Sequence, residues 1–293
     1  MFIDRFRSYL QFEKRYSAHT VSAYVTDLQR YHTYLANHGL TDADADHRDV
    51  RSYFADLIEA GQSPSSVNRH ISALRTYYKF LNREELIHNN PMPKVRVLKT
   101  PKKLPVVINE EKLISLLDSR ELFPEGFEGL RDLLVLEFLF GTGARRAELV
   151  SIEEKDVDLY NKTVRVLGKR NKERLIPLNR SLLLLLKEYL EEKKAQPFEN
   201  KTSFLIVTNS GKQAYPDLVY LIVKKYLSLI TSQQKKSPHV LRHTFATSML
   251  NHGAELNDIK ELLGHAGLAA TQIYTHNTVE RLKLIYKQAH PKA

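Results

Sequence analysis

Cysteine is absent from the 293 residues. That excludes disulfides, a thiol nucleophile and any cysteine-based zinc site, and it fits a reducing cytoplasm, the expected location. No apolar run approaches the roughly 18 residues that a membrane-spanning helix needs; the richest, SLLLLLKEYL, breaks at Lys187. The first residues, MFIDRFRSYLQFEKRY, mix charge into a periodic apolar pattern and lack the apolar centre and cleavage site of a signal peptide. Carboxylates are nowhere massed as a Mg²⁺ site requires, so chemistry without metal or cofactor is expected. Internal repeats and low-complexity tracts are missing as well.

Negative charge is in short supply: 34 Asp and Glu face 44 Lys and Arg, a net charge of +10. Over the first 90 residues the two signs balance at 11 each, so the whole excess lies beyond them. A basic surplus confined to one part of a chain suggests a polyanion partner. A membrane surface would also attract it, but no basic amphipathic anchor stands out, and no membrane partner is expected.

What is present organises into two parts, as the length allows. Val21, Tyr24, Leu28, Tyr31 and Leu35 step by three and four, the spacing of one apolar helix face. Val50, Tyr53 and Leu57 repeat it, as do Val67, Ile71, Leu74, Tyr78 and Leu81 after the capping candidates Ser65 and Ser66. With the segment around Phe2, Phe6, Tyr9 and Phe12, residues 1–88 read as a four-helix domain whose tyrosines pack its core. Residues 89–106, NNPMPKVRVLKTPKKLPV, hold four prolines and several Lys and Arg, and read as an extended basic linker able to track phosphates. Residues 107–293 form the second domain. EEKLISLLD and RDLLVLEFLFGTG are helical; NKTVRVLGKRNKERLIPL alternates around a turn and reads as antiparallel strands; SFLIVT reads as a further strand; and the rest to about residue 285 is helical. The expected class is mainly α with a small antiparallel sheet.

Four stretches of the second domain carry chemistry. GTGARRAEL puts Arg145 where a helix begins; GKRNKERLIPL puts Lys172 near a turn; SPHVLRHTF places His239 and Arg242 on one face of a helix N-terminus, with Ser237 the N-cap candidate and Pro238 at the first helical position; LLGHAGLAATQIYTH holds His265 and Tyr274. Two arginines can grip the non-bridging oxygens of one phosphodiester through charge-assisted, fork-shaped hydrogen bonds. Those bonds are worth most where negative charge grows in the transition state. Histidines add hydrogen bonds or move a proton. A tyrosine hydroxyl is a poor nucleophile until nearby cations favour the phenolate. Each residue alone has an ordinary reading: a helix-start arginine, a solvated turn lysine, a capping histidine, a core tyrosine. Their joint occurrence in this order is the signal.

On these residues the chain resembles the tyrosine recombinase (phage-integrase-like) family, most closely its Xer-type members. YSAHTVSAYVTDLQRYHTYL and SSVNRHISALRTYYKFLNREELIHNNP resemble the family's SAM-like core-binding domain. TGARRAEL, GKRNKERLIPL, HVLRH, LGH and TQIYTH fill its six catalytic positions with Arg145, Lys172, His239, Arg242, His265 and Tyr274. The resemblance implies that Tyr274 attacks the scissile DNA phosphate, forming a 3′-phosphotyrosyl intermediate that conserves the bond's energy without ATP. Arg145 and Arg242 clamp the phosphate, and Lys172 protonates the leaving 5′ oxygen. His239 and His265 complete the hydrogen bonding, and Glu148 orients the site. It also implies a C-shaped clamp on double-stranded DNA bearing paired half-sites, and exchange through a Holliday junction by a homotetramer or a heterotetramer with a related recombinase. A C-terminal helix docking on a neighbouring protomer and a DNA translocase of the FtsK type as activator are further implications. The expected role is resolution of chromosome dimers. Departures from the pattern are Arg146, which makes the first arginine a doublet; Arg170 in the hairpin, an added DNA contact; and Ser248, where a histidine is frequent, with no evident chemical role. Asn68, Arg69, Arg75 and Lys79, on the polar face of the helix over about 65–79, are the expected DNA readers. Alternatives are an integrase of a phage or mobile element, a type IB topoisomerase, a non-catalytic DNA-binding protein and a metal-dependent phosphodiesterase. The start of the chain directly at the core-binding helices favours the Xer-type reading over an integrase with an added arm-binding domain.

Overall fold

A computed structural model of the chain describes residues 2–101, 106–168, 172–199, 202–264 and 276–292, with the backbone alone over 276–279. The fold is mainly helical with one three-stranded antiparallel sheet, and it divides into two compact units, Met1–Lys103 and Leu104–Ala293.

The first unit is built from α1 (Phe2–Ser8, continued by a π turn over Tyr9–Glu13), α2 (Ala18–Asn37), α3 (His47–Glu59) and α4 (Pro64–Arg83). Asp46 starts α3 by accepting the amides of Arg48 and Asp49. The cap of α4 is Ser63, not Ser65 or Ser66: its hydroxyl accepts the Ser66 amide, and Pro64 then sits at the first helical position. Tyr31, Tyr53, Tyr77 and Tyr78 are buried as the apolar spacing requires. Their hydroxyls are partnered, Tyr31 with Tyr78 at 2.8 Å and Tyr77 donating to Asp42 at 2.9 Å.

Residues 89–98, from the stretch read as linker, lie against this unit. Met92 and Val95 enter its core. Asn68 holds both backbone groups of Leu98, and Arg75 and Arg51 donate to the carbonyls of Val95 and Lys94. Beyond one 3₁₀ turn over Met92–Lys94, prolines keep the segment from becoming helix, and side chains of α3 and α4 satisfy much of its backbone instead.

The second unit is organised around α6 (Phe127–Thr142), which is mostly apolar and buried nearly throughout, its Arg131, Asp132 and Glu137 included. Around it lie α5 (Glu110–Asp118), α7 (Arg146–Leu149), α8 (Arg180–Ala195), α9 (Pro216–Ile230), α10 (Pro238–Asn251), α11 (Leu256–Leu263) and α12 (His276–Ala289). Strands β1 (Val157–Asp158), β2 (Thr163–Leu167) and β3 (Glu173–Pro177) pair in that order, with Val164 opposite Ile176 and Val166 opposite Arg174. SFLIVT does not become a strand. Its backbone groups are taken singly, by isolated bridges at Phe204 and Val207 and by the buried Lys193 ammonium, which donates to the carbonyl of Phe204 and to Glu154. The C-terminal helix packs on its own unit: Leu282, Tyr286 and Ala289 are buried, and Tyr286 donates to the Gly141 carbonyl at 2.6 Å. Among the described residues no helix is long and apolar enough to cross a membrane.

Candidate active site

The site begins where α6 ends. Gly143 closes that helix in the left-handed conformation, φ 61°, and a Cβ there would come within 2.6 Å of Phe245 and 2.7 Å of Leu263. Only glycine fits both the dihedral and the packing. That close approach brings α10 and the end of α11 against the turn, and Arg242 bridges them: its two terminal nitrogens donate to the carbonyls of Gly143 and Leu263, each at 2.6 Å. Ser237 occupies the N-cap position of α10 and Pro238 the first helical position, but the Ser237 side chain makes no capping hydrogen bond. On the same helix His239 is exposed while Arg242 is buried.

Immediately after Gly143, Arg145 precedes the short α7. Its amide and its guanidinium both donate to the Glu148 carboxylate at 2.7 Å. A third arginine, Arg174, reaches Glu148 from β3 through a two-pronged pair at 3.1 and 2.7 Å and donates its Nε to Leu262. Glu148 and Arg174 are 5% and 3% exposed. Gly264, again left-handed at φ 63°, lets the chain pass Arg174, whose Cδ would lie 3.0 Å from an added Cβ. Arg146, the other half of the doublet, points elsewhere: it is exposed and faces Asp217 at 3.3 Å.

Charge in this cluster is unbalanced. Burial pushes the Glu148 carboxyl up, but Arg174 and Arg145 outweigh it and hold the group below its usual range. Burial, then the neighbouring Arg145, lowers the Arg242 guanidinium to about 10, so it remains charged at neutral pH. Partial burial, then His243, Arg242 and Arg145, lowers the His239 imidazole, which is therefore neutral at pH 7. Three guanidiniums thus share one carboxylate. Such a cluster favours an incoming anion, which would relieve the repulsion between cations.

Lys172 is exposed just before β3, at the end where β2 and β3 are joined, and its carbonyl accepts the Gly168 amide at 2.8 Å. Arg170, His265 and Tyr274 lie outside the described residues. In the first unit Arg69 and Lys79 are exposed on α4, Arg69 ion-paired to Asp27 at 3.0 Å, whereas Asn68 and Arg75 hold residues 95–98. Among the described residues no group of His, Asp and Glu is placed to hold a metal ion. Arg174 is the site residue that sequence reasoning passed over. Its signal was its position: in β3 it alternates with Ile176 on the buried face, where an arginine needs a carboxylate.

The phage integrase family model matches residues 107–281, and the phage integrase N-terminal SAM-like domain matches residues 3–85. The chain therefore belongs to the phage integrase family, the tyrosine recombinases. Within it, the chain is 37% identical to the tyrosine recombinase XerC of Chlorobaculum parvum, covering 99% of this chain and 94% of that one. It is 34% identical to XerD of Staphylococcus epidermidis, covering 99% of both. A crystal structure of the XerH site-specific recombinase bound to palindromic difH substrate, in a post-cleavage complex, matches with TM-score 0.73 and 25% identity, over 90% of this chain and 78% of that one.

Proposed function

We propose that this protein recombines DNA at specific sites by transferring a strand to Tyr274 and back to DNA. The phenol oxygen of Tyr274 attacks the scissile phosphorus, the bond to the 5′ oxygen breaks, and a 3′-phosphotyrosyl link and a free 5′-hydroxyl result. Arg145 and Arg242 hold the non-bridging oxygens. Neutral His239 can take the phenol proton, Lys172 gives one to the departing oxygen, and His265 adds a hydrogen bond. Glu148 and Arg174 hold Arg145 in place. Because the link keeps the energy of the phosphodiester, resealing needs neither ATP nor metal. The observation that carries the reading is the surplus of guanidinium charge around Glu148, with Arg174 and Arg242 buried and Arg145 half-buried.

Near-equal similarity to XerC and XerD over almost the full chain supports a Xer-type role, in which four protomers, alike or of two related kinds, join two duplexes and resolve chromosome dimers. Activation by a translocase and exchange of α12 between protomers belong to that reading. DNA reading falls to α4, directly through Arg69 and Lys79 and, where the contacts to residues 95–98 are given up, Asn68 and Arg75; Arg170 adds a contact at the hairpin. The alternative, integration of a mobile element, uses the same chemistry.

The test is a nicked suicide duplex carrying the binding site recovered from a randomised duplex pool. With EDTA present, the wild-type chain should form a covalent adduct that survives denaturation, and Tyr274→Phe should bind the duplex without forming one. Adduct in the variant, or dependence on added metal, refutes the mechanism.

A further inference from the structure

Helix α10 has a second functional face. Arg242 and Thr244 are two residues apart, about 200° around the helix, so the side opposite Arg242 carries Thr244 and, one turn on, Ser248. Both are buried, at 1% and 3% exposure. A buried hydroxyl on a helix is normally satisfied by the carbonyl four residues back, and Thr244 does donate to Val240 at 3.0 Å. It also accepts the buried amide of Ile108 at 3.0 Å. Ser248 donates to Glu110, whose other oxygen lies 3.7 Å from His252, a further turn along the same face. Ile108 and Glu110 begin the second unit and flank Asn109, the cap of α5, which accepts the Lys112 amide at 2.9 Å. The start of the second unit is therefore fastened at two points to the back of the helix that presents Arg242 and His239.

We propose that Thr244 and Ser248 are positioning residues for strand cleavage, making the placement of Arg242 depend on residues 108–110. The inference rests on the recombinase reading above. Ser248 and Arg242 are six residues, about 9 Å, apart along a rigid helix, so a shift at the fastening is carried to the guanidinium. Misplacement of a catalytic group by about 1 Å can cost on the order of 100-fold in rate. The fastening also gives a purpose to a serine that the active site itself does not use.

The experiment compares full-length wild type with the double variant Thr244→Val/Ser248→Ala, and with Ser248→Thr, on the nicked suicide duplex. Single-turnover adduct formation is measured at saturating protein, beside the DNA concentration for half-saturation and at a temperature where all variants are fully folded. The double variant should form adduct about ten-fold or more slowly while half-saturation moves less than about two-fold, and Ser248→Thr should keep most of the wild-type rate. A merely structural pair of hydroxyls would lower the melting temperature and leave the rate of the folded enzyme unchanged; that outcome, with wild type cutting normally, overturns this proposal alone. A wild-type chain that forms no adduct overturns the recombinase reading and this proposal with it.

Discussion

Each unit buries a polar cluster, and the two are built on opposite principles. In the first unit Asp27, 2% exposed, is flanked by His70 at 3.2 Å and Arg69 at 3.0 Å, and Tyr53 shares a hydrogen bond with His70 at 3.1 Å. One carboxylate meets one guanidinium, and burial keeps the histidine neutral, so the cluster closes on itself. In the second unit one carboxylate, Glu148, serves Arg145 and Arg174 directly and Arg242 through space. A closed cluster holds helices together; an open one carries a surplus of positive charge that favours an anion. The difference, more than the presence of buried charge, is what the proposed site rests on.

The largest effect should come from removing the shared carboxylate. Glu148→Ala strands the buried Arg174 and the half-buried Arg145, and breaking such an arrangement costs about 3–5 kcal/mol. Urea unfolding should show that loss, and sulfate should restore more stability to the variant than to wild type, because an anion can stand in for the carboxylate. No differential sulfate effect would mean the cluster has no appetite for anions. Next comes Arg242→Lys, which keeps the charge but cannot span the carbonyls of Gly143 and Leu263. Adduct formation should fall about 10²–10³-fold, the size seen when one transition-state donor is lost, with DNA affinity largely retained. Arg69→Lys, the matching change in the closed cluster, should leave stability within about 1 kcal/mol of wild type, since a partly exposed pair contributes little.

The contrast also explains what could be read in advance. Helices with one apolar stripe, α2 to α4, and the mostly apolar α6 were legible because the apolar pattern reports burial directly. Arg145, Arg242 and Glu148 were legible through short motifs whose glycines, Gly143 and Gly264, have local reasons visible in the backbone. Arg174 was not, because a lone arginine in a strand reads as solvated until its burial is known. Nor was the docking of residues 89–98: proline excludes helix but does not say that Asn68 and Arg75 will satisfy the backbone. SFLIVT failed for a similar reason, its carbonyl partner being Lys193 from a helix rather than a neighbouring strand.

Acid should separate the clusters further. His290, stacked on Tyr286 in the second unit, is lowered to about 4 by burial, whereas the unfolded chain titrates near 6.5. As pH falls through that window the unfolded state binds a proton that the folded state refuses, so stability falls by up to about 1.4 kcal/mol per pH unit. In the first unit, His70 is lowered in the same sense but Asp27 is raised, both by burial, so the folded chain gains one proton where it forgoes another. Urea titrations from pH 6.5 to 4 should show a slope that His290→Gln reduces and that the His70–Asp27 pair contributes little to. An unchanged slope in His290→Gln would remove His290 from the account.

The smallest effect is the sharpest test of closure. Asp27 keeps one oxygen, Oδ2, buried with no hydrogen-bond partner among the described residues, while Oδ1 accepts from Arg69 and faces His70. An ionised carboxylate with half its capacity unused gains little from being charged there, and burial already raises its pKa to about 6. Asp27→Asn can keep the Oδ1 contacts and exchanges an unpartnered anionic oxygen for an unpartnered neutral amide nitrogen, so at pH 7 the stability should change by less than about 1 kcal/mol. Its acid dependence should change more visibly: the proton that the folded wild type gains near pH 6 is absent in the variant, and the His70 contribution then stands alone. Between pH 6 and 4 the variant should lose stability faster than wild type, although the two start nearly equal. A variant several kcal/mol less stable at pH 7 would instead show that the charge of Asp27 carries the first cluster, as that of Glu148 carries the second, and the distinction between closed and open clusters would fail.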